Sequence, residues 1–142
     1  MNQTTPPTPP PASPPPPPAG GSQTTSTGLD PKLAGLLCYI LGPITGIIFF
    51  LVEKTHAVVR FHAAQSIVFG IAWVVLWVIL SIVGIILHQI SWTIGNLFGL
   101  VTLLVWLGLF IVWIVLLIKG YSGEKWKLPI VGDMAERMVG GA

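Results

Sequence analysis

Three polar side chains hold the best claim to chemistry in this chain: His62, Gln65 and Ser66, which with Phe69 fall on one face of a helix. They converge where a hydrophobic segment begins, so a headgroup, a solute or a proton could meet them there. The plainer reading is a polar helix entrance wetted by water and headgroups, and it carries more weight. Other candidates fail on spacing. Glu53 and His56 have the Glu-x-x-His interval of a carboxylate-bridged metal pair, but the second copy and the further inward carboxylates are missing. His56 and His62 share no ligand face, and His88 lies a whole segment away. Cys38, the sole cysteine, makes neither an intramolecular disulfide nor a thiolate zinc site. Residues 120–125 (GYSGEK) match neither a phosphate loop nor a nucleophile elbow. No nucleophile has an evident base, so the expectation is no enzyme, no cofactor and no metal.

The elements that must position these residues are membrane helices. Of 142 residues, 53% are hydrophobic and 8% charged, with a mean hydropathy of +0.82, far more apolar than a soluble domain. Residues 61–118 contain no Asp, Glu, Lys or Arg. As one helix they would run about 87 Å, roughly three hydrocarbon thicknesses, so the chain must fold back. The expected fold is an all-α membrane protein with three transmembrane helices at about 33–52, 63–87 and 94–118, an interfacial first loop at 53–62 and a tail at 119–142. Asp30 before Pro31 makes a helix start, and Lys119 with Gly120 a helix end. Pro43 after Gly42 carries the alternative, a break that turns 33–52 into a re-entrant hairpin that never crosses.

Residues 1–28 carry no charge, and ten of the thirteen prolines lie between Pro6 and Pro18. Such a segment forms no core and reads as a disordered, semi-rigid polyproline spacer ahead of a membrane domain at 29–142. It also lacks the basic start and apolar stretch of a signal peptide, which leaves targeting to the first hydrophobic segment. In the three-span arrangement Lys54, Arg60, Lys119, Lys125, Lys127 and Arg137 fall on one side and Lys32 on the other. The excess places the C-terminus in the cytoplasm and the N-terminus outside. A formal charge of +2 is too weak and scattered for nucleic acid.

Ala34, Cys38, Gly42 and Gly46 recur every four residues, and Gly95 with Gly99 repeats the interval. Such strips serve either self-association or packing among the chain's own helices, the second being favoured. Trp73, Trp77, Trp106 and Trp113 read as packing or lipid-facing rings. Lys125, Trp126 and Lys127 read as a headgroup anchor. Beyond Pro129, Ile130, Met134 and Met138 form the apolar face of a short amphipathic helix expected to lie on the membrane.

LAGLLCYILGPITGIIFFLVEK, VVRFHAAQS and IKGYSGEKWKLPIVGDMAERM resemble a family of small prokaryotic membrane proteins grouped with the Tic-twenty-like proteins of chloroplast import. The resemblance spans about 33–138. Glu53, Lys54, Arg60, Phe61, His62, Gln65 and Ser66 match its first-loop motif, and Leu128, Pro129, Gly132 and Asp133 its tail motif. It implies the plasma membrane of a prokaryote and carries no catalytic role. If both motifs lie on the cytoplasmic face, Glu53 or Asp133 could pair with Arg60. Partners are then the lipid bilayer, a second copy of the chain or other membrane proteins. Three functions compete: a structural or assembly protein, an oligomeric conduit for a solute or polypeptide, and a tether acting through the proline-rich tail.

Overall fold

A computed structural model describes residues 24–140, so residues 1–23 of the tail expected over 1–28 lie outside the described residues. Those described form five helices: α1 (Pro31–Ile40), α2 (Pro43–Val52), α3 (Ala57–Ile90), α4 (Trp92–Ser122) and α5 (Val131–Met138). The Asp30 carboxylate accepts the Lys32 N–H at 2.8 Å and Pro31 occupies the first helical position, as the start signal requires.

The single helix expected over 33–52 is instead two helices of ten residues each. Gly42 adopts φ +59 and ψ −130, a conformation open to glycine and costly for other residues, and Pro43 restarts the helix at its first position. The two halves fold back as a hairpin. Ser26, before α1, donates its N–H to Glu53 Oε2 at 2.8 Å, after α2, so both ends of the segment meet at one level. The single helix long enough to cross that the three-span expectation places over 33–52 is not found: ten residues reach only about 15 Å, half of a hydrocarbon core. Residues 24–28 are also removed from the expected tail by this contact.

Two helices among those described are long and apolar enough to cross a membrane, α3 and α4. Each extends past its expected limits, α3 starting inside the expected first loop and α4 ending at Ser122 with Gly123 in the left-handed cap position. They meet at a turn centred on Ser91, tighter than the polar 88–93 connection the sequence indicates. The polarity of the molecule is inverted relative to a soluble fold. Ile71, Ile85 and Leu97 are 57%, 63% and 65% exposed, whereas His62, Gln65 and Ser66 are at most 1% exposed. An apolar surrounding such as lipid makes that arrangement favourable.

Glycines set the helix approaches. Gly35 on α1 meets Gly120 on α4 backbone to backbone, and a Cβ on Gly120 would lie 2.6 Å from the Gly35 carbonyl oxygen. A Cβ on Gly70 of α3 would meet the Pro43 ring at 2.6 Å, so the tip of the hairpin rests on α3 there. From Gly70 to Ile90, α3 continues about 30 Å, one full hydrocarbon thickness. The small-residue strip is divided by the break. Ala34 and Cys38 enter the core with Val59, Ala63 and Leu116, Gly42 forms the hinge, and Gly46 packs α2 against Ala63 and Ser66 of α3. Gly95 seats against His88 at the far turn, while Gly99 faces open space.

Candidate functional site

Breaking a helix inside an apolar environment frees carbonyls at the end of its first half, and each must find a donor. Three side chains add donors at the α1–α2 break, on the carbonyls of Cys38, Tyr39 and Gly42, the last two of which also accept the N–H groups of Gly42 and Gly46. Ser66 Oγ lies 2.6 Å from the Cys38 carbonyl and 2.9 Å from that of Gly42. Thr45 Oγ reaches the same two carbonyls at 3.2 and 3.3 Å. Trp113 Nε1 donates to the Tyr39 carbonyl at 2.9 Å from α4. Ser66, read from sequence as part of a face open to headgroups or solutes, is thus turned inward onto the hairpin.

The other two members of that face are also enclosed. His62 Nδ1 lies 3.1 Å from Tyr39 Oη, and its Nε2 donates to the Glu124 carbonyl at 2.8 Å, which leaves Nδ1 to accept from the tyrosine hydroxyl. The imidazole therefore clamps α1 to the segment that follows α4. Gln65 Oε1 stands 3.5 Å from the Leu128 N–H, a long contact, and its amide nitrogen is buried without a partner. Gly132 packs beside the same amide, where a Cβ would come within 3.2 Å of Oε1. The first-loop and tail motifs do meet, through His62 and Gln65.

Glu53 serves the loop. Its Oε1 accepts the Thr55 and His56 N–H groups at 2.9 and 2.8 Å, and Ser26 Oγ at 3.0 Å. Burial pushes its carboxyl up, but the backbone N–H groups of His56 and Thr55 and the hydroxyls of Thr55 and Ser26 outweigh it and bring it down to about 2. Lys54 follows in the same loop, its N–H donating to Ser26 Oγ at 2.9 Å. Neither expected partner reaches Arg60: Glu53 is occupied by Ser26, Thr55 and His56, and Asp133 pairs with Lys127 at 3.0 Å. Arg60 lies over the Phe50 ring instead, 5.5 Å from its centroid, while Phe61 is fully buried beside Ala64 and Ala135.

The tail motif closes the charged end. Pro129 and Ile130 turn the chain into α5, which packs on α3 through buried Gly132 and Ala135. The face Ile130, Met134 and Met138 is exposed, so α5 rests on α3 by its small residues and turns its large apolar ones outward. Lys127 holds Glu136 at 2.8 Å as well as Asp133, which raises the lysine and lowers the Glu136 carboxyl from their ordinary values. The segment 125–127 is thereby tied to α5 through Lys125 and Lys127.

Residues 29–135, which contain the hairpin, the polar clamp and most of α5, match the magnetosome magnetite crystal formation protein family. The chain belongs to that family. A UPF0132 membrane protein of Methanocaldococcus jannaschii is 45% identical over 114 residues, covering 80% of this chain and 92% of the relative. Another from Archaeoglobus fulgidus is 43% identical over 113 residues, 78% of this chain and 96% of its own length. No solved structure matches the chain. The prokaryotic membrane-protein family expected from the motifs is therefore the correct level of description, and the chain is a membrane protein.

Several pairings at this end of the molecule carried no sequence signal. Gly35 with Gly120, Gly70 with Pro43, and the Trp113 donor to Tyr39 are pairs far apart in the chain that only the fold-back brings together. Tyr39, fully buried against His62, belongs with them.

Proposed function

We propose that this protein is a non-catalytic assembly element of the prokaryotic plasma membrane, a two-span helical hairpin braced by a re-entrant hairpin and acting through self-association or contact with other membrane proteins. The observation that carries this reading is the inward use of His62, Gln65 and Ser66: both His62 nitrogens, the Ser66 hydroxyl and, at longer range, Gln65 Oε1 meet the chain's own groups rather than a pathway or a substrate. Polar groups used this way fix one arrangement of helices. What remains outside is apolar helix surface, including the open space before Gly99 and Gly108 where a neighbouring helix can approach.

The family's description links its members to magnetite crystal formation. For this chain the reading retains a membrane platform and not a mineral contact, because all five acidic residues have internal partners. Asp30 caps α1, Glu53 holds the first loop, and Glu124, Asp133 and Glu136 are ion-paired.

In this reading Ser26, Glu53 and the C-terminal segment share the cytoplasmic side, and Ser91 lies outside. Lys32, whose Cγ lies 3.6 Å from a Cβ position on Gly123, joins the other six basic residues at one end. Seven against none is a stronger bias than the six against one of a three-span arrangement. Reconstitution tests the proposal. Labelled protein in liposomes at low density is expected to bleach in two or more steps and to pass no ion current. Bleaching in two or more steps together with conductance would favour the oligomeric conduit that the Tic-twenty-like resemblance implies, and single-step bleaching would refute self-association.

A further inference from the structure

A cavity of about 130 Å³ opens at the charged end of the molecule, lined by Ala57, Val58, Arg60, Phe61, Lys125 and Val139. Two cations frame it. The Arg60 guanidinium is over Phe50, and Lys125 Nζ lies 5.1 Å from the centre of the Phe61 ring. A guanidinium offers five N–H donors. Arg60 makes no ion pair among the described residues, and its Nε is buried with no acceptor. An unpartnered buried donor on a charged group is costly, and folded chains rarely leave one so.

The helix beneath adds to the same field. Ala57 and Val58 form the first turn of a 34-residue helix, where N–H groups have no acceptor within the helix. The next N–H, that of Val59, is taken by His56 Nδ1 at 3.4 Å. The positive end of the α3 dipole therefore faces the cavity wall. Nearby carboxylates do not cancel the charge. Glu136 lies 2.9 Å from Lys125 and 2.8 Å from Lys127, and Asp133 lies 3.0 Å from Lys127. Three cations against two anions leave one positive charge, and Arg60 is the member without a counter-ion.

We propose that this cavity binds a phosphoryl oxyanion, with Arg60 as the principal ligand and Lys125 as the second. The volume is that of about four water molecules in the liquid, enough for one tetrahedral headgroup phosphate. A planar fork of N–H donors suits two phosphate oxygens at once. The oxyanion has two sources, an anionic lipid headgroup or free phosphate from the aqueous side.

The test uses the full-length protein in detergent, with phosphatidylglycerol and phosphatidylcholine titrated separately and retained lipid read by native mass spectrometry. Wild type is expected to prefer phosphatidylglycerol. Arg60→Gln is expected to weaken that binding about tenfold or more, Lys125→Gln less, and Lys54→Gln, which lies outside the cavity, not at all. Millimolar inorganic phosphate that fails to displace the lipid assigns the headgroup, and displacement assigns free phosphate. Continued protection of buried Cys38 from maleimide shows that each variant is folded. Equal retention of the two lipids by wild type that inorganic phosphate also leaves unchanged, or equal loss in Arg60→Gln and Lys54→Gln, overturns the proposal.

Discussion

Replacing Ser66 by Ala removes the shorter of the two hydroxyl clamps on the hairpin break. The Ser66 hydroxyl spans the Cys38 and Gly42 carbonyls at 2.6 and 2.9 Å, and Thr45 remains at 3.2 and 3.3 Å as a partial substitute. A buried hydrogen bond lost with its acceptor left in place costs about 1–3 kcal/mol, and the Thr45 contact should hold the loss to about 1–2 kcal/mol. That free energy acts on the opening of α1 away from α3. Cys38 reports the opening without further engineering, since it is the sole cysteine, fully buried, and part of α1. Maleimide labelling of the detergent-purified protein should accelerate about 5- to 30-fold in Ser66→Ala. Ser66→Ala with Thr45→Ala should exceed the sum of the two single effects, because each hydroxyl covers for the other. Ser81→Ala, on the same helix but at the far groove, serves as control. A Ser66→Ala rate within twofold of wild type would refute the capping argument.

Other perturbations follow from the same geometry. Gly35→Ala and Gly120→Ala force a Cβ into a backbone contact and should each cost about 1–3 kcal/mol in detergent melts, whereas Gly99→Ala, with open space before it, should leave the midpoint within error. Trp113→Phe keeps the ring but loses the donor to the Tyr39 carbonyl, a loss of about 1 kcal/mol by the same assay. Glu53 has a folded-state value near 2 against an ordinary 4.5, so its contribution is fully present above about pH 4.5 and is lost as pH falls toward 2. Glu53→Gln should destabilise at pH 7 and flatten the acid limb of the stability profile; an unchanged acid limb would place the titration elsewhere.

Much of the fold was legible because lipid imposes few options. The charge-free run over 61–118 required a fold-back, and helices α3 and α4 supply it. The break at Gly42–Pro43 was visible as an alternative, but a lone proline after glycine does not tell a kink from a reversal. What decides between them is remote: the Ser66 hydroxyl, the Trp113 indole and the Ser26–Glu53 contact. His62, Gln65 and Ser66 were found as a polar face for the right reason, their helical spacing. Their role was not readable, since whether a helix face meets water or another backbone depends on what packs there. The proposed Arg60 ion pair failed because Glu53 is held by groups two and three residues along its own loop, a local competition that a distant guanidinium does not win.

The re-entrant hairpin is the central claim, and sidedness tests it most directly. In a Cys38→Ser background, single cysteines at Thr24, Ser91 and Ser122 are to be labelled in intact cells with a membrane-impermeant maleimide, then again after permeabilisation. Labelling of Ser91→Cys alone in intact cells, with Thr24→Cys and Ser122→Cys reacting only after permeabilisation, is the predicted result. Labelling of Thr24→Cys together with Ser91→Cys in intact cells would mean that the first segment crosses the membrane, and would contradict the hairpin.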